Sequence, residues 1–393
     1  MNDEILAMIG DARGDVVRWR RHIHASPDLS FHEKPTADYI AAELARLPGL
    51  EIARPMENSV VALLKGEYPG PTWALRADID ALPLQETSGV PFASAKPGVM
   101  HACGHDAHAA MLMGAASVLC RLRGQLRGSI KFIFQPAEEV PPGGARELVA
   151  RGAVDDVEHI FGLHVAPNFP TGKIVLKEGV YVASSDNFDI TISGRGGHGS
   201  VPHLCIDPLV IGAEMVVALQ MVVARSIDPL KAPVLTVATF QAGDSYNVIA
   251  DSARLAGTVR THDAQVREQV QQLMQRIVSG IASAHGARCD IRWQEGYAVG
   301  HNHPQACAIA VEAVNQHFNE GTLMMADAPL FGSEDFSSYQ QKVPGAFLFI
   351  GCGSEEEGAT WGLHNPNFRI DEAALQVGVR AHVALVSRLL GGK

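Results

Sequence analysis

An α/β protein, with a mainly parallel-sheet domain interrupted by a ferredoxin-like insertion, is predicted by three features of this 393-residue chain. Apolar strand and helix patterns alternate through about residue 180. A βαββαβ order then occupies the middle of the chain. After it the α/β pattern returns and runs towards the C-terminus.

The elements follow in order. "AAMLMGAASVLCRL" reads as a helix, and "SIKFIFQ" and "HIFGLHV" read as strands too continuously apolar to keep one face wet. From Asp186, "NFDITISG" is a strand, "DPLVIGAEMVVALQMVVAR" a helix, "PVLTVATFQ" and "ARLAGTVRT" two strands, "AQVREQVQQLMQRIVSGIASAHG" a helix and "CDIRWQ" a last strand. A helix from Pro304, the buried strand "GAFLFIGCG" and an amphipathic helix from Asp371 to Leu390 resume the first pattern. The expected partition is a discontinuous domain of residues 1–184 and 296–393, with residues 185–295 inserted through hinges near 184 and 296. A chain of this length supports two cores.

Composition narrows the function. Hydrophobic residues make up 47% and charged residues 19%, as in a soluble globular protein. The net charge of -11 comes without a basic stripe, so no nucleic-acid partner is expected. The longest apolar run, from Leu209, carries Glu214 and Gln220 and reads as a buried helix, so no membrane partner is expected either. The first residues lack the apolar core of a secretory signal, which makes a cytoplasmic location the expectation. Six cysteines without paired spacing read as reduced thiols.

Parallel sheets place ligand sites at the C-terminal ends of their strands. There the sequence puts Asp78 and Asp80 ("LRADIDALP"), Glu138 and Glu139 ("FIFQPAEE") and His164 ("FGLHV"), joined by Cys103 and His105 in "HACGHDAH" and His364 in "WGLHNPNF". Thiolate, imidazole and carboxylate together suit zinc and related ions, and the set is too rich for one. The two-residue offset of "CGH" puts Cys103 and His105 on a loop before a helix that begins near Asp106, with Gly104 letting the loop fold back. His101 and His108 have supporting roles. Adjacent glutamates on extended backbone point apart, so one can bind metal while the other faces the reacting water. That division suits hydrolysis, in which a bound metal acidifies water and an unligated carboxylate carries its proton.

"RRHIHASPDLSFHE", "LRADIDALP", "HACGHDAH", "QPAEE", "GLHV", "GRGGHGSVPH", "DPL", "NVIAD", "GTVRT", "GSEDF" and "LHNPNF" together resemble the aminoacylase/carboxypeptidase family of co-catalytic metallohydrolases. The subgroup they resemble holds hippurate hydrolases, N-acyl-amino-acid amidohydrolases and indoleacetyl-amino-acid hydrolases. The resemblance covers essentially the whole chain. It implies two divalent metal ions, zinc first and manganese or cobalt as alternatives, bridged by Cys103 and completed by His105, Glu139, His164 and His364. Glu138 is then the general base and Asp78 an orienting carboxylate behind the site.

The resemblance also makes the insertion a lid and dimerisation domain, giving a homodimer or higher homo-oligomer. Within it His198, among the glycines of "GRGGHGS", would polarise the scissile carbonyl, in family members often that of the partner's site. Asn247 and Arg260 match substrate-contacting positions, and a guanidinium suits a carboxylate. The implied reaction cleaves an N-acyl amino acid to a carboxylic acid and a free amino acid; a carboxypeptidase or dipeptidase with the same site is the alternative. A binding protein without turnover would have lost the base or a ligand, and here every such position is filled. Three departures, "VPPGGARE" from Val140, Ala250 in "NVIAD" and His262 in "THD", bear on substrate preference and leave the metal set intact.

Overall fold

In the computed structural model, which describes residues 1–391, the long apolar runs assemble an eight-stranded sheet. Its spatial order is Leu50–Ala53, Val60–Lys65, Arg127–Gln135, Tyr68–Asp78, Val157–Pro170, Gly345–Gly353, Ile174–Leu176 and Leu323–Met325. From Arg127–Gln135 to Gly345–Gly353 neighbouring strands are parallel. Antiparallel pairing lies to either side. Burial on both faces explains the continuous apolar runs: Leu75, Phe132, Phe134, Phe161 and Leu348 on one face and Ala74, Ile133, Ile160 and Phe347 on the other are all shut off from solvent.

The helix His105–Arg121 is buried along almost its whole length, so its sequence is apolar on every side. It lies against the helices Arg13–Ala25 and Ala373–Leu385. Gly114 sets that approach, since a Cβ there would stand 2.6 Å from Val16 Cγ2 and 2.7 Å from Val379 Cγ2. The closing helix is shorter than expected; after Leu385 the chain tightens into a 3₁₀ turn at Ser387–Leu389.

The chain divides into two units. The first holds Met1–Gly179, His301–Ala328 and the stretch from Asp335; the second holds Val180–Gly300 and Pro329–Glu334. The short return of Pro329–Glu334 has no signal in the hydrophobic pattern. It is held by backbone hydrogen bonds from Leu330 N to Tyr181 O (2.9 Å) and from Ala183 N to Leu330 O (3.1 Å).

In the second unit an antiparallel sheet runs in the order Val234–Ala242, Ser252–Thr261, Ser184–Ser193, Arg288–Glu295. With the helices Pro208–Met221 and Ala264–Ala284 this is the βαββαβ ferredoxin-like arrangement. Its core joins Phe188, Ile190, Ile192, Leu255 and Val259 of the sheet to Ile211, Met215, Leu219, Val270 and Met274 of the helices.

One expectation is corrected here. The apolar helix from Leu209 is not buried: Ile211, Met215 and Leu219 face the core, whereas Val210 and Val217 are 56% and 72% exposed. Apolar residues surround this helix, but a sheet can cover only one of its faces. By length and composition Pro208–Ser226 would also pass as a membrane-crossing segment, yet its inner stripe already packs on the sheet.

The Gly114→Ala variant should lower the thermal midpoint. The two valine methyls cannot swing clear, and overpacking of about 1–3 kcal/mol outweighs the gain of about 1 kcal/mol in helix propensity. An unchanged midpoint would show that the three helices can part without loss.

Candidate metal centre

Gly104 shapes the first part of the centre. It takes φ 86°, and a Cβ there would lie 2.4 Å from Val165 Cγ2, so both the backbone conformation and the close approach demand glycine. The helix starts one residue earlier than expected, making His105 its first residue and leaving Cys103 on the loop. His105 Nδ1 donates to Asp80, at 2.9 Å from the carbonyl oxygen and 3.1 Å from Oδ1. That leaves Nε2 buried with no hydrogen-bond partner, open to a proton or to a cation in the proton's place. It faces Asp78 Oδ2 at 3.7 Å, Glu139 Oε1 at 3.8 Å and Glu138 Oε2 at 4.0 Å. Burial alone would lower the pKa of His105, but Asp78, Asp80 and Glu139 outweigh it and push it up to about 10.

His164 and Cys103 meet nearby. The ring donates from Nδ1 to Val165 O at 2.7 Å, which directs the Nε2 lone pair at Cys103 Sγ, 3.4 Å away. Burial holds His164 well below its usual pKa. Burial, followed by Glu139, Glu138 and Asp78, raises the Cys103 thiol well above its own. A cation would reverse that preference and favour the thiolate.

The paired glutamates are not on extended backbone, contrary to expectation. The strand ends at Gln135 and Ala137 takes φ 53°, so the chain turns and both carboxylates come to the same imidazole instead of pointing apart. Glu139 N donates to Asp80 Oδ2 at 3.0 Å, and Glu139 Oε1 lies 3.3 Å from His364 Nε2. His364 N in turn donates to Ala102 O at 2.8 Å, which ties the late segment to the one carrying Cys103.

Asp78 holds a different ring. Its Oδ1 accepts from His108 Nδ1 at 2.6 Å, and His108 Nε2 accepts from Val165 N at 2.9 Å, so both nitrogens of His108 are engaged. Asp80, not Asp78, orients His105. Burial would raise the pKa of Asp78, but His105, Arg76 and His108 hold it well below the carboxylate range. His101 is buried with neither nitrogen paired, and burial lowers its pKa to about 4.

Donor atoms converge in overlapping groups. Cys103, His105 and His164 form one; Cys103, Glu139 and His364 form another; in each, the atoms lie within 4.8 Å of one another. Cys103 belongs to both. A buried orphan imidazole nitrogen beside a thiol and carboxylates fits a divalent cation, and two groups sharing one sulfur fit two neighbouring ones.

Asp335, in "GSEDF", is a fully buried carboxylate to which the strand-end pattern assigns no role. Its Oδ1 accepts from Arg76 Nη2 at 2.8 Å, its Oδ2 from Ala145 N at 3.0 Å, and both oxygens from Gln135 Nε2 at 2.8 Å. The available signal was Arg76, a charge set inside an otherwise apolar strand.

The remaining candidates lie in the second unit. Gly197–His198 pairs with Val248–Ile249, and Gly199 N donates to Asn247 O at 2.8 Å, so His198 and Asn247 are neighbours. Ser200 N and Oγ lie 3.1 and 2.8 Å from His198 Nδ1. Arg260 is partly buried, and its Nη1 donates to Ser333 Oγ at 2.9 Å. His262, one of the three departures, donates from Nε2 to Leu330 O at 2.8 Å and packs on Phe331, so it fastens the returning segment.

Comparison with known proteins agrees with this geometry. The model of peptidase family M20/M25/M40 matches residues 74–388. An N-acyl-L-amino acid amidohydrolase of Geobacillus stearothermophilus is 47% identical over 295 residues, 75% of this chain and 80% of its own. Thermostable carboxypeptidase 2 of Saccharolobus solfataricus is 38% identical over 374 residues, 94% of either chain. The crystal structure of Bacillus subtilis YXEP, described as a dinuclear metal binding peptidase from the M20 family, superposes with a TM-score of 0.83 at 36% identity, covering 97% of this chain and 99% of its own. Matched over most of its length by the family model and by relatives of this similarity, the chain belongs to peptidase family M20/M25/M40 and is a metallohydrolase of amide bonds.

Proposed function

We propose that the protein hydrolyses N-acyl amino acids to a carboxylic acid and a free amino acid, with two divalent cations held by Cys103, His105, Glu139, His164 and His364. The observation that carries this reading is the membership of Cys103 in both donor groups. The resemblance to an amidohydrolase at 47% identity favours acyl amides; the resemblance to a carboxypeptidase at 38% supports short peptides as the second reading. Zinc is the proposed ion because a thiol and imidazoles predominate among the donors.

Bound cations would supply Lewis acidity towards the amide carbonyl and lower the pKa of a bound water. The chain does the rest. Asp80 fixes His105 in the tautomer that presents Nε2. Glu138 takes the proton of the attacking water and returns it to the departing amine nitrogen. Arg260 pairs with the carboxylate of the amino-acid half, and His198 and Asn247 contact the scissile amide.

Glu138→Ala should keep its metal and lose about 10²–10⁴-fold in kcat, the range of a general base, on a panel of acetyl-, benzoyl- and indoleacetyl-amino acids and dipeptides. Turnover at the wild-type rate would remove the proposed base. Prolonged chelation should inactivate the wild type, with recovery on adding zinc, manganese or cobalt, and Cys103→Ser should bind less metal by elemental analysis. Full metal occupancy in that variant would count against the bridge. Arg260→Ala should raise KM about tenfold or more, as for one lost charge-assisted hydrogen bond, with kcat less affected. An unchanged KM would assign the carboxylate to another group.

A further inference from the structure

Glu33 belongs to none of the donor groups, yet it is fully buried close to them. It stands at the N-cap position of the helix Lys34–Leu44 without capping it. Asp28 bonds the first turn instead, through Thr36 N at 3.0 Å and Thr36 Oγ1 at 2.7 Å. The Glu33 carboxylate is thereby released for other contacts. Oε1 accepts from Phe31 N at 2.9 Å and from Ala137 N at 2.7 Å, and Oε2 accepts from Asn58 Nδ2 at 2.7 Å.

Both backbone groups on Oε1 belong to residues in an unfavourable conformation. Phe31 has φ 69° and Ala137 has φ 53°; with His364 they make up the non-glycine residues of positive φ among the described residues. Such a conformation is disfavoured for a residue with a side chain and persists only where its surroundings hold it. Ala137 immediately precedes Glu138. On the far side, Glu139 N is held by Asp80, and Gly144 N closes the turn on Ala137 O at 3.2 Å. Glu138 therefore sits between two N–H groups, each gripped by a different buried carboxylate.

We propose that Glu33 is a positioning residue for the general base: by holding Ala137 in its left-handed conformation it aims the Glu138 carboxylate, and so governs the chemical step more than metal occupancy. The proposal rests on the assignment of Glu138 as base. Its geometry requires an acceptor that serves two N–H donors with one oxygen. A glutamine keeps such an oxygen, and Asn58 can turn its amide to suit; an alanine supplies nothing.

The test uses the full-length, metal-loaded protein with Glu33→Ala, Glu33→Gln and Glu33→Asp. In Glu33→Ala, kcat should fall about 10²-fold, the penalty of a displacement near 1 Å, with KM and metal content close to wild type. Amide hydrogen exchange in the peptide spanning Ala137 to Gly144 should accelerate, in chelated as well as loaded protein. Glu33→Gln should recover most of the lost kcat, whereas Glu33→Asp, one methylene short, should not. Wild-type exchange at that turn, wild-type kcat in a folded Glu33→Ala, or a fall in kcat that merely tracks metal loss would each overturn the proposal. Should Glu33→Ala fail to fold, Glu33→Asp with wild-type kcat and exchange overturns it as well. The activity of Glu138→Ala reports on the base itself and the exchange of Glu33→Ala on the turn, so failure of one assignment is distinguishable from failure of the other.

Discussion

The carboxylate of Asp80 is the interaction on which the site depends. It receives His105 Nδ1 on one oxygen and both Glu139 N and Ser30 Oγ on the other, at 3.1, 3.0 and 2.7 Å. A histidine from a helix start and a glutamate from a strand-end turn are thus set against each other by one buried group. Burial opposes its charge, but the hydrogen bonds from His105, Glu139 N and Ser30 outweigh that penalty and keep its pKa low. His105 and Glu139 are each held by an atom that does not face the centre, which leaves Nε2 of the one and the carboxylate of the other turned towards it.

Much of this was legible in the sequence, because periodicity and strand-end polarity are local signals. The alternating pattern gave the parallel sheet, the βαββαβ order gave the second sheet, and the polar residues after apolar strands gave the converging donors. The roles of Asp78 and Asp80 were not separable, since two aspartates of "DID" look alike until their partners are known. Nor was the turn at Ala137 visible. Left-handed backbone usually announces itself as glycine or asparagine, and here an alanine is held there by a residue 104 positions away. The exposed side of the helix Pro208–Met221 was misread for a related reason, because a helix apolar on all faces carries no phase to tell inside from outside.

The donors and their supports all lie in the first unit, whereas Arg260, His198 and Asn247 lie in the second. The second unit has its own hydrophobic core. Changes in its loops therefore need not disturb the packing that holds Asp80, Glu33 or Arg76. His262 illustrates this independence: a ring that departs from the usual pattern finds a carbonyl and a phenylalanine within its own unit.

The discontinuity of the first unit also sets an order of assembly. The strand Val157–Pro170 completes its ladder only with Gly345–Gly353, which follows the whole insertion in the chain. The insertion closes on itself through Ser185 N and Tyr297 O at 3.0 Å, so once folded it shortens the loop that the flanking segments must close. During synthesis the second unit is complete before the first has its last strand, and His364 emerges later still. Of the two donor groups, Cys103, His105 and His164 all precede the insertion, whereas the group of Cys103, Glu139 and His364 is completed only after the insertion has been made, so the two halves of the centre are assembled at different stages of synthesis.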